Sequence, residues 1–123
     1  MWLVWTGRIV AMLWGGWWTF FGVACGLGEG IGFGGTLMHA LLPGGLFLAM
    51  ALVSFRWVTA GGYALLGTGI VVLVGYPLMA YGKFSVTTII TVLLMIALPP
   101  LLAGAGILYG NSPRAAEPPP DRR

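Results

Sequence analysis

The chain has 123 residues, 59% of them hydrophobic and only 7% charged, with a formal net charge of +3. Soluble domains carry roughly 25% charged and about 45–50% apolar residues, so a water-soluble globule is excluded for want of polar surface. Lys and Arg are spread along the chain and build no basic face, which excludes a nucleic-acid partner, and the single Cys25 excludes a disulfide scaffold.

The charges leave four uncharged runs, 9–28, 30–55, 57–82 and 84–113. About 20 apolar residues cross a bilayer core of roughly 30 Å, so each run holds one crossing. The fold class predicted is all-α: a polytopic membrane protein with four transmembrane helices in a compact bundle. The helices are expected at about 7–27, 36–55, 59–80 and 85–109, so that residues 1–109 form a single transmembrane domain.

Trp2 and Trp5 precede the first helix, where indoles favour the headgroup level, and Arg8 is expected to anchor it by snorkelling. Gly22 and Gly26 lie four apart on one helical face and allow a second backbone to approach. Gly22-Val23-Ala24-Cys25 matches a lipoprotein cleavage box poorly, because Gly22 stands where a large aliphatic residue is needed. Apolarity also runs on through Leu27, so the segment reads as a permanent helix.

From Gly26 to Gly35 the glycine content predicts a turn region. Gly30-Ile31-Gly32-Phe33-Gly34-Gly35 fits G-x-G-x-x-G, but it lies between two apolar spans and no acidic residue follows before Glu117. A dinucleotide site needs both a βαβ setting and that acid.

The second helix is expected to start with Thr36 as N-cap, to kink at Pro43, and to end at Arg56-Trp57. Gly61 and Gly62 open the third helix and offer it a close-packing face. Pro99 and Pro100 break the fourth near its middle. Beyond Gly110, residues 110–123 read as a disordered polar, proline-rich tail.

Four crossings place both termini on one side with Arg8, Arg56, Arg114, Arg122 and Arg123, against Lys83 alone on the other. The positive-inside rule makes that side cytoplasmic, in the cytoplasmic (inner) membrane. Arg8 and Arg56 then act as topology anchors, and Glu29 and His39 face outward.

Ionisable residues within a span are the usual pointers to function. None of Asp, Glu, Lys or Arg falls deep in any expected span, which separates this chain from small multidrug antiporters of similar length. Glu29 and His39 are expected to meet across the first loop as an outer-interface polar pair. One His and one Glu fall short of the three protein ligands of a catalytic zinc site, and the scattered Met12, Met38, Met50, Met79 and Met95 read as packing. No metal, cofactor or catalytic residue is predicted.

Arg8-Ile9-Val10-Ala11, His39 with Pro43, Arg56-Trp57 with Gly61-Gly62, and Pro99-Pro100 through Gly104 and Leu108 together resemble a family of uncharacterised small prokaryotic four-helix integral membrane proteins, defined only as a domain of unknown function. The resemblance covers about residues 8–108 and implies a compact four-helix membrane bundle without a known activity. The glycine-rich first loop and the charged tail depart from the family pattern.

The function expected is that of a non-enzymatic structural or accessory subunit, held in the lipid bilayer and packing with itself or with another membrane protein. The alternative is a small transporter or channel subunit with Glu29 and His39 at its outer mouth.

Overall fold

The computed structural model describes residues 1–112, so the expected tail lies outside the described residues from position 113 onward. Among the described residues all regular structure is helical. Three stretches are long and apolar enough to cross a membrane: Trp2–Gly28, Val58–Ala80 and Val86–Gly110.

Helix α1 (Trp2–Gly28) has 27 residues, about 40 Å at 1.5 Å per residue. It starts five positions before the expected boundary because nothing in 2–6 breaks a helix. That first turn also has something to pack on: a methyl group on Gly110 would stand 2.9 Å from the Val4 side chain. The buried residues Val4, Gly7, Arg8, Ala11, Gly15, Gly22 and Gly26 follow the helical repeat of three, four and seven, so a single stripe faces inward.

The connection to α2 (Gly32–Ala40) is only Glu29, Gly30 and Ile31, which corrects the long turn expected over 26–35. At this connection Gly30 (φ 63°) and Gly32 (φ 75°) need the left-handed region. The glycines at 34 and 35 are absorbed into α2, whose packing on α1 overrides their weak helix propensity. Thr36 is accordingly no N-cap: its hydroxyl donates to the Gly32 carbonyl, 2.9 Å away, from inside the helix.

Helix α2 runs on without interruption into a π-helical turn, Leu41–Gly45, and then α3 (Leu46–Arg56). Pro43 has no N–H to give to the His39 carbonyl four residues back, and the wider turn accommodates the loss. The disturbance expected at Pro43 therefore takes the form of a π turn within a helical run covering 32–56.

Trp57 alone, in an extended conformation, reverses the chain into α4 (Val58–Ala80). After a turn at 81–85, Ser85 caps α5 (Val86–Ile96) by accepting the Thr88 N–H at 3.2 Å. Pro99 and Pro100 cannot donate to the carbonyls of Met95 and Ile96, so α5 ends there. Ala97 keeps near-helical angles (φ −84°, ψ −39°) and leads into α6 (Leu98–Gly110).

The runs form an antiparallel ring in which α1 neighbours both α3 and α6, and α4 lies between α3 and α6. Small residues set the spacing. Methyl groups on Gly15, Gly62 and Gly104 would stand 2.9 Å from the Leu48 side chain, 2.8 Å from Leu108 and 2.6 Å from the Leu66 nitrogen. The core at this level is Ala11, Ala51, Leu65, Ala103 and Ile107. Towards the other end, α2 rests on α1 alone and α5 on α4 and α6, and α5 buries none of its residues. The bundle is thus closed at the end holding Trp2, Arg56 and Gly110 and splayed at the end holding Gly28 and Ala80.

Candidate functional site

Two polar constellations sit at opposite ends of α1. At the splayed end, Glu29 follows the last residue of α1, and its own N–H closes that helix on the Cys25 carbonyl at 2.9 Å. His39 stands two residues before the π segment, and its Nε2 lies 4.0 Å from Glu29 Oε2, with the two side chains 50% and 60% exposed. The expected neighbours are therefore brought together, at a spacing longer than a hydrogen bond.

What places them there is the approach of α1 to α2. Gly22 lies under the backbone of His39 and Ala40, where an added methyl would stand 2.7 Å from the Ala40 Cα, and at Gly26 it would stand 2.6 Å from the Thr36 Cα. The Gly22 and Gly26 face is consequently filled from within the same chain. Gly61 likewise packs on Ser54 of α3, and Gly62 on Leu108 and Ile107 of α6.

Below the Glu29–His39 pair a cleft of ≈ 330 Å³ opens between the helices, lined by Trp18, Phe21, Gly22, Cys25 and Leu42. Trp18 and Phe21 meet edge to face, with centroids 5.6 Å apart at 84°. Trp18, Gly22, Cys25 and Glu29 repeat at intervals of four, three and four, which puts them on a single helical face. That spacing was readable in advance; the opposing wall from α2 was not. Cys25 is a free thiol. No group of three His, Cys, Asp or Glu side chains suited to a metal occurs among the described residues.

At the closed end the structure corrects the expected role of Arg8. Instead of snorkelling outward, Arg8 is only 8% exposed, and its Nη2 donates to the Ser54 carbonyl at 2.5 Å. Its guanidinium carbon lies 4.7 Å from the Phe55 ring centroid and 5.3 Å from that of Trp5, and the two rings are themselves edge to face at 5.9 Å.

The physical reason lies in α3. Ser54 is in its last turn, where carbonyls have no intrahelical N–H to accept and the helix dipole favours a cation. Arg8 supplies both donor and charge from another helix, in a setting where aromatic faces make burial of the guanidinium tolerable. Sequence reasoning missed Ser54 because a backbone carbonyl has no sequence signature. Arg56, two residues after Ser54, ends α3 and is exposed.

Of the proline sites, Pro100 is buried beside Ala11, Trp14, Phe47 and Leu65 around a void too small for water. Pro99 is half-buried in the first turn of α6.

No family model, curated protein or solved structure matches the chain.

Proposed function

We propose that this chain is a four-span protein of the bacterial cytoplasmic membrane, with both termini cytoplasmic, that serves as a non-enzymatic accessory or structural subunit and packs with itself or with another membrane protein. The resemblance to the small prokaryotic four-helix family belongs to the same reading. A fourth crossing is supported by the unbroken helical run 32–56, whose 25 residues span about 37 Å at the α-helical rise.

The observation that carries the accessory reading is α5. It is an apolar helix with no buried residue, exposing Val86, Ile90, Leu94 and Met95 on the splayed half of the bundle. The Gly22–Gly26 and Gly61–Gly62 faces are already occupied inside the chain, so this unpartnered face is where a helix of another chain would pack, through van der Waals fit rather than burial from water.

The test is disulfide trapping in native membranes with Ile90→Cys in a Cys25→Ser background. A discrete cross-linked species is expected, either a dimer of the chain or an adduct of one larger protein. A chain that stays monomeric and uncross-linked would reject the accessory role. Robust ion or solute flux in liposomes, abolished by His39→Ala, would replace it with a transporter. Orientation is checked separately: a C-terminal phosphatase fusion should be inactive while a green fluorescent fusion glows.

A further inference from the structure

The Gly35 carbonyl holds His39 in one tautomer. Its oxygen lies 3.1 Å from His39 Nδ1, and because a carbonyl only accepts, Nδ1 carries the proton. In the neutral ring Nε2 is then a bare acceptor, and it faces a Glu29 carboxylate oxygen 4.0 Å away. Two acceptors this close, and out of hydrogen-bond reach of each other, leave a gap for a donor with at least two hydrogens. A primary ammonium has three on a compact cation, and its nitrogen bridges such a gap at about 2.8 Å from each acceptor.

The rest of the cleft favours the same chemistry. Trp18, Phe21 and Leu42 wall a volume of ≈ 330 Å³, near the lower bound of small-molecule sites at about 300 Å³. That space holds an alkyl chain. Glu29 is the one carboxylate among the described residues, and no Lys or Arg lines the cleft, so an anionic head is repelled.

We propose that the cleft binds an amphiphile ending in a primary ammonium group, with its head bridging Glu29 and His39 and its chain lying along Trp18, Phe21 and Leu42. This chemistry reaches a membrane protein either as a free alkylamine or as the ethanolamine headgroup of a lipid.

The test is photo-crosslinking of the full chain in phosphatidylcholine nanodiscs with a diazirine-bearing dodecylamine and with the matching dodecanol. The amine should label 18–25 and Leu42 saturably and be competed by dodecylamine, whereas the alcohol should label the exposed apolar surface broadly. Glu29→Gln should lower labelling of the cleft by the amine at least tenfold, and His39→Gln severalfold. Both side chains are half exposed, so neither variant threatens the fold, and an unchanged elution profile confirms that. Identical labelling patterns for amine and alcohol, or cleft labelling unchanged in Glu29→Gln, overturns the proposal. Including phosphatidylethanolamine separates the sources: suppressed amine labelling assigns the site to the lipid headgroup, and undiminished labelling assigns it to the free amine.

Discussion

Replacing Arg8 with Met keeps the length of the side chain and removes both its charge and its donors. The change leaves the Ser54 carbonyl buried at the end of α3 without its partner. A hydrogen bond to a charged group contributes about 1.5–3 kcal/mol, and a partly desolvated cation over aromatic rings adds about 0.5–2 kcal/mol. Removing a buried charge relieves some desolvation, so the net loss expected is about 2–4 kcal/mol. The assay is reversible unfolding of the detergent-solubilised chain by titration with sodium dodecyl sulfate, followed by tryptophan fluorescence. Arg8→Lys should lose roughly half as much, because an ammonium reaches the carbonyl but does not stack as a plane. Arg56→Met, at the exposed end of the same helix, should stay within about 0.5 kcal/mol of the parent. A cycle combining Arg8→Met with Phe55→Leu should show a coupling of about 0.5–2 kcal/mol. Equal, small effects of Arg8→Met and Arg56→Met would refute the assignment of Arg8 as the cap of α3.

In the same unfolding assay, Gly22→Ala and Gly44→Ala should each cost about 1–3 kcal/mol, since the added methyl meets backbone of α2 and of α1 respectively. Gly16→Ala, which meets nothing, should instead stabilise by about 0.5–1 kcal/mol through helix propensity. Leu65→Ala should cost about 2–4 kcal/mol, because Leu65 is fully buried. Leu78→Ala, on the exposed side of the same helix, should change stability by less than about 0.5 kcal/mol. For Glu29→Gln and His39→Gln, a double-mutant cycle without ligand should give a coupling of about 0–1 kcal/mol, as expected for an exposed pair. A larger coupling would mean that the two side chains bond directly, contrary to their 4.0 Å spacing.

The charge pattern made the helical runs legible: Gly28, Arg56, Ala80 and Gly110 end them close to where uncharged sequence ends. Backbone detail was less so. The glycines after Glu29 read as a turn because propensity is local, whereas the packing of α2 on α1 that draws them into helix is not. The same early start at Gly32 sets which way His39 points, so the facing wall of the cleft was hidden even though Trp18, Gly22, Cys25 and Glu29 were visibly in line. Prolines announced disturbance at 43 and at 99–100 without specifying its form, a π turn in one place and a lapse in the hydrogen-bond ladder at the Met95 and Ile96 carbonyls in the other. Arg8 was misread for the opposite reason. A lone arginine near the start of an apolar helix suggests lipid headgroups, and only the fold reveals that an orphaned carbonyl lies closer.

That carbonyl lies 46 residues downstream of Arg8, and the interval has a temporal meaning. A ribosome adds about 5–20 residues per second, so Arg8 exists for roughly 2–9 s before Ser54 is even synthesised. During that time the guanidinium keeps its water, and the start of the first helix lacks the contact that fixes its rotation. Arg8 can take its final place only once the last turn of α3 exists, which ties the setting of the N-terminal end of α1 to completion of the second helical run.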